Sequence, residues 1–232
     1  MQIEIVIKRK EPGERSYFQA FSYEGDGRLT VADFLAELNE RADRRDRSGQ
    51  KVRPITWESS CHEEKCGACA MVINGRPRLA CGVFLKEAGK KGRVTIEPLS
   101  KFPVVRDLKV DRSSMFRMLK DMRLWLMERK EGNREDDRRL GYEVSRCLQC
   151  GLCLEICPNF LPGHGFGGAA SLTAAYKVLS QERAGKHWEY VKAAYRRHFF
   201  SRCGKSLACV SICPAHIPLD TVQARTNGMK EK

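Results

Sequence analysis

Eleven cysteines fall in three groups along a chain of 232 residues, and their spacing is the clearest chemical signal in the sequence. An odd number cannot all pair as disulfides. The start, Met1 to Lys8, alternates apolar and polar residues and lacks the cationic head and cleavage site of a signal peptide. A reducing compartment is therefore expected, where clustered thiols hold metal more often than they cross-link.

The first group is Cys61-x4-Cys66-x2-Cys69, with Cys81 further on. This is the plant-type ferredoxin spacing for a [2Fe–2S] cluster. Gly67 and Ala68 between the second and third thiols let the backbone approach and donate N–H bonds to sulfur. A four-cysteine zinc site draws on the same ligands, but zinc motifs come as paired Cys-x2-Cys knuckles, and only one such pair stands here. The cluster is the expectation.

The second group, Cys147-x2-Cys150-x2-Cys153-x3-Cys157-Pro158, is the bacterial ferredoxin run, whose fourth cysteine serves the other cluster in two-cluster proteins. The third, Cys203-x5-Cys209-x3-Cys213-Pro214, aligns with it except that Ser206 stands where Cys150 would. Crossing the fourth ligands gives Cys147, Cys150, Cys153 and Cys213 for a [4Fe–4S] cluster. It leaves Cys157, Cys203 and Cys209 for the other site, a set that suits [3Fe–4S]. Ser206 binding a fourth iron through its alkoxide is the alternative, as is a defective or zinc-filled site.

These groups need elements to hold them. Ile3, Ile5 and Ile7 alternate with polar residues as a first strand, and Tyr17 to Phe21 reads as a second. Thr30 can cap a helix with Val31, Phe34, Leu35 and Leu38 on one face and Asp33 at the capping-box position. Residues 41–53 form a charge run expected as a solvated loop. Asn74-Gly75, between Ala70–Ile73 and Arg78–Ala80, is a strong hairpin signal. Val94 to Ile96 adds a strand, and Pro98 and Pro103 bracket an expected linker. Beyond Asp111, Met115, Met118, Leu119, Met122, Leu126 and Met127 recur at helical spacing, which predicts one amphipathic helix running into the charged residues 128–139. Further helices are expected over 169–181 and 188–199. The expected fold is α+β: a β-grasp [2Fe–2S] domain over 1–105, then an all-helical ferredoxin domain over 106–232.

With 42% hydrophobic and 31% charged residues, the composition is that of a globular protein. No apolar run approaches the roughly 20 residues of a membrane helix. The net charge of +13 suits a solvated surface, or a face toward anionic headgroups or an acidic partner. Neither a groove-reading element nor a base-stacking platform argues for nucleic acid. There is no Ser-His-Asp set and no Gly-rich nucleotide loop. His62, His164, His187, His198 and His216 are scattered and expected to be structural or exposed. A chain with three clusters and no substrate site is a relay.

Taken together, the three cysteine runs resemble those of the iron–sulfur subunits of succinate dehydrogenases and fumarate reductases over nearly the whole chain. The resemblance implies one-electron relay between a FAD-bearing catalytic subunit and quinone at a membrane anchor, from the cytoplasmic face of the cell membrane as a peripheral subunit. Cys61-His-Glu-Glu-Lys-Cys66-Gly67, Phe166-Gly-Gly-Ala-Ala170 and Cys203-Gly-Lys-Ser206 are most similar to the menaquinone-linked type with a haem-containing anchor. The Trp and His that follow the two runs in the ubiquinone-linked type are absent: the chain reads Pro158-Asn159-Phe160 and Cys203-Gly204. No quinone ligand is carried over. A heterodisulfide-reductase-like subunit, a free ferredoxin shuttle and a basic zinc protein are the rival readings. The amino-terminal plant-type domain argues against the first, and iron with acid-labile sulfide would dismiss the last.

Overall fold

The chain is described from a computed structural model covering residues 1–127 and 135–229. It divides into two compact units, Met1–Asp111 and Arg112–Lys232.

In the first unit, β1 (Gln2–Arg9) pairs antiparallel with β2 (Tyr17–Glu24), and α1 (Val31–Glu40) follows. Ile3, Ile5 and Ile7 are buried, as their alternation predicts. Thr30 and Asp33 form a reciprocal capping box at the start of α1, whose Val31, Phe34, Leu35 and Leu38 are buried. Residues 41–53 are largely exposed but tied down, with Arg45 bridging Lys51 and Arg47 N donating to Ala20 O at 2.7 Å.

The hairpin β3 (Ala70–Ile73) and β4 (Arg76–Leu79) turns on Asn74 (φ 49°) and Gly75 (φ 73°), the left-handed pair that such a turn requires. Ala80 lies in the 3-10 turn Ala80–Gly82 rather than in the strand. After α2 (Leu85–Ala88), β5 (Arg93–Glu97) inserts between β1, parallel, and β3, antiparallel. The mixed sheet has the order β2-β1-β5-β3-β4, so Pro77 sits on an edge strand where its missing N–H costs no ladder bond.

The expected linker at 98–103 is instead packed, with Leu99 and Phe102 buried. It leads into a small hairpin, β6 (Val104–Arg106) and β7 (Lys109–Val110), that periodicity did not suggest. The boundary expected at 105 falls inside β6. The unit runs on because Asp107 N donates to Lys10 O (2.8 Å) and Leu108 N to Thr56 O (3.0 Å).

In the second unit, α3 (Ser113–Asp121) is shorter than the Met pattern predicts. Arg123 is left-handed (φ 53°), and Leu126 and Met127 are exposed. The remainder of the charged run is partly outside the described residues, and its described part opens α4 (Glu135–Ser145), a helix the sequence reading missed. The short α5 (Leu152–Glu155) precedes α6 (Gly168–Glu182), which is buried on nearly every side and packs against α4, α5, α7 (Lys186–Tyr195) and α9 (Leu219–Asn227). Gly168 has φ +58°, and a Cβ there would lie 2.2 Å from Leu154. A larger residue there would be strained in its backbone and would have to displace the Leu154 side chain. A π-helical turn, Arg196–Phe200, continues α7, and α8 (Ala208–Ile212) packs on α5.

Candidate metal centres

The first centre is built on a loop. Cys61 and Cys66 are half-buried on it, Cys69 is buried just before β3, and Cys81 is buried in the 3-10 turn after β4. Ala80 N donates to Cys69 O at 3.0 Å, which holds the two ends together and leaves the Cys69 and Cys81 sulfurs 3.3 Å apart. The Cys81 side is fixed from α1, since Val31 N donates to Val83 O and Leu85 N to Leu29 O.

Left-handed residues recur along the loop at His62, Glu64 and Gly67. Such alternation turns successive N–H groups inward into a concavity for negative charge. Glu63 N and Lys65 N donate to Cys61 Sγ (3.4 and 3.3 Å), Glu64 N to Cys81 Sγ (3.3 Å) and Ala68 N to Cys66 Sγ (3.5 Å). The bonds from Glu63 and Lys65 lower the Cys61 pKa to about 7. Burial acts the opposite way on Cys81 and pushes it to about 12. A preformed cage of donors around four sulfurs fits a group that is itself anionic.

The second and third groups share one architecture. Cys150 is flanked by left-handed Gln149 (φ 50°) and Gly151 (φ 87°), and α5 starts immediately after. Ser206 is flanked in the same way by Lys205 (φ 55°) and Leu207 (φ 56°), and α8 follows. The two loops therefore match in backbone, not only in spacing. Cys150 is buried whereas Ser206 is exposed.

Three of these seven thiols are shifted by their surroundings. Burial pushes Cys150 up to about 11, opposed by the Leu152 N–H bond and reinforced by the fields of Cys147 and Cys213. Cys153 is raised well above its ordinary value by burial, then by Cys150, Cys147, Cys213 and Cys209. Cys209 is raised to about 11 by burial, then by Cys157 and Cys203. The field of Cys213 is thus felt at Cys150 and Cys153, and that of Cys157 at Cys209. Cys209 is also felt at Cys153, so the two groups adjoin.

Among the described residues, no three Cys, His, Asp or Glu side chains are grouped as ligands of a single ion. In a [2Fe–2S] cluster each iron takes two thiolates, and in the [4Fe–4S] and [3Fe–4S] types each iron takes one, so no single iron gathers three protein ligands. Two of the histidines are engaged elsewhere. His187 Nδ1 is 2.7 Å from Glu182 Oε2 and its Nε2 is 3.0 Å from Arg123 O, while His198 Nδ1 is 2.8 Å from Gly165 O.

Two features had no local signal in the sequence. Arg9 and Asp107, both fully buried, are paired at 2.9 Å. Gln223 Nε2 lies 3.5 Å from Cys203 Sγ. Their partners are remote in sequence, so no spacing rule points to them.

Comparison with known proteins finds the same two domains. Residues 4–117 match the 2Fe-2S iron-sulfur cluster binding domain, and residues 143–217 match the 4Fe-4S dicluster domain. The chain is 35% identical to the succinate dehydrogenase iron-sulfur subunit of Bacillus subtilis, over 97% of this chain and 91% of that one. It is 27% identical to the fumarate reductase iron-sulfur subunit of Wolinella succinogenes, over 89% of this chain and 87% of that one. Among solved structures, a chain of the Mycobacterium smegmatis Sdh1 complex in the apo form superposes with a TM-score of 0.76 at 21% identity. It covers 100% of this chain and 98% of that one. At that identity the likeness shows the fold.

Proposed function

Because the chain belongs to the family of succinate dehydrogenase and fumarate reductase iron–sulfur subunits, we propose a ligand set for each of its clusters. Its function is electron transfer within a succinate:quinone oxidoreductase, and it carries [2Fe–2S], [4Fe–4S] and [3Fe–4S] clusters. Cys61, Cys66, Cys69 and Cys81 hold the first. Cys147, Cys150, Cys153 and Cys213 hold the second. Cys157, Cys203 and Cys209 hold the third. The observation that supports this reading is the matched backbone of the two loops, Gln149–Gly151 around Cys150 and Lys205–Leu207 around Ser206, on helices α5 and α8 that pack together.

When bound, the clusters supply one-electron carriers between a flavin, which trades electrons in pairs, and quinone. The chain's residues decide how well they do so. N–H groups of residues 63–65 and 68 stabilise negative charge on the first centre's sulfurs and so help set its potential. Desolvation raises the pKa of Cys81 and Cys150, both buried, and of half-buried Cys153 and Cys209, so cluster loading would release their protons.

Family membership implies a flavoprotein partner and a membrane anchor. No helix among the described residues is long and apolar enough to cross a membrane, which is consistent with a peripheral subunit. The finer assignments are a haem-containing anchor, menaquinone as the quinone, and the cytoplasmic face. They are supported by the stretches at Cys61–Gly67, Phe166–Ala170 and Cys203–Ser206. Affinity purification from native membranes tests them. A flavoprotein and a membrane protein with a haem spectrum should co-purify, and succinate should reduce a low-potential naphthoquinone through the complex. A fully loaded chain that purifies without partners would contradict the relay.

A further inference from the structure

The inward side of α9 carries Leu219, Val222, Gln223 and Thr226, the spacing of a core-facing stripe. Leu219 and Val222 suit that position. Thr226 satisfies its own hydroxyl, donating to Val222 O at 2.7 Å. Gln223 is the exception, a long primary amide where packing calls for an apolar chain, and only 8% of it is exposed. A buried amide costs free energy unless its hydrogen bonds are met. This one places its nitrogen 3.5 Å from Cys203 Sγ. A metal-bound thiolate has no proton to give, so the NH2 end and not the carbonyl end must face it.

We propose that Gln223 is a positioning residue of the third centre, donating an amide N–H to the Cys203 sulfur and thereby raising the reduction potential of the cluster that Cys203 holds. The inference rests on Cys203 being a ligand of the [3Fe–4S] site. Reduction adds negative charge that is shared with the ligand sulfurs. A donor aimed at one of them therefore stabilises the reduced state more than the oxidised state, and its removal lowers the potential. The donor comes from a side chain, so substitution can delete it, which is not true of the backbone donors around the first centre.

The test is an EPR-monitored redox titration of the whole complex carrying wild-type chain, Gln223→Leu or Gln223→Met. Leucine removes the donor and restores an apolar stripe. Methionine keeps the length of the side chain but has no donor. Both variants should shift the third centre's midpoint downward by about tenfold in its one-electron equilibrium constant, ~59 mV. The [2Fe–2S] and [4Fe–4S] midpoints should stay in place. An unchanged midpoint in Gln223→Leu, with its [3Fe–4S] signal intact, overturns the proposal. If the leucine variant does not retain the centre, an unchanged midpoint in Gln223→Met overturns it equally. Failure of the underlying assignment shows separately, as an oxidised wild type without a [3Fe–4S] signal.

Discussion

Ser206 occupies the place of Cys150 in a loop of the same shape, between two left-handed residues. The first run has a glycine after its cysteine, at Gly151. The second has Leu207, whose left-handed backbone costs about 1–3 kcal/mol. That the loop keeps its form without the glycine indicates a geometry held by its surroundings. The hydroxyl is then the difference that matters. Ser206→Cys should complete a four-thiolate site, so that the oxidised protein loses the near-isotropic EPR signal of a [3Fe–4S] centre and the site's potential falls. Persistence of that signal at full intensity in the variant would show that the missing thiol is not the reason for the missing iron. All the proposed ligand residues were legible in the sequence, because ligand chemistry is written in residue type and short spacing. Gln223 was not, because it acts on a sulfur twenty residues away through the packing of α9.

Among the elements, strand alternation, the Thr30 cap and the Asn74-Gly75 turn were legible because each is decided within a few residues. Elements decided by distant partners were not. The Met pattern has a helical period, yet α3 stops early. The chain beyond it is held by α6 and α7, with Glu182 accepting from Met127 N at 2.7 Å and His187 reaching Arg123 O. Asp107 shows the same principle in the first unit. Its carboxylate accepts from Arg9 Nε (2.9 Å), Thr56 N (2.9 Å), Lys10 N (3.2 Å) and Arg53 Nη1 (3.2 Å), joining the end of β1, the 53–56 segment and the β6–β7 turn. Burial alone would raise its pKa, but the bonds from Arg9 and Thr56 outweigh burial and hold it below the usual carboxylate value. A depressed folded pKa contributes stability above the unfolded value of roughly 3.9, and that stability is lost as pH falls through the folded value. Asp107→Asn leaves the buried Arg9 charge without its counter-ion and should cost about 3–5 kcal/mol at neutral pH. Urea unfolding of the full chain should show that loss, and the gap to wild type should narrow below about pH 4. A loss under about 1 kcal/mol would mean that the pair does not hold these segments together.

At the scale of the whole molecule, the sequence carried the order of the domains and the relay itself. The charge also finds a place. From Glu189 to Asp220 there is no acidic residue between, while Lys192, Arg196, Arg197, Arg202 and Lys205 fall there with Cys203, Cys209 and Cys213. Four of these cations, Arg196, Arg197, Arg202 and Lys205, are exposed. Their field reaches about one Debye length, roughly 8–10 Å, and favours added negative charge in the loop that follows them. The central claim is that eleven cysteines divide four, four and three among clusters of two, four and three irons. Mössbauer spectroscopy of the complex enriched in 57Fe measures that division directly, because each cluster type contributes in proportion to its irons. Apart from any haem, the spectrum should resolve [2Fe–2S], [4Fe–4S] and [3Fe–4S] components in area ratio two to four to three. A ratio of two to eight, with a second [4Fe–4S] component in place of the [3Fe–4S], would contradict it and make Ser206 a ligand.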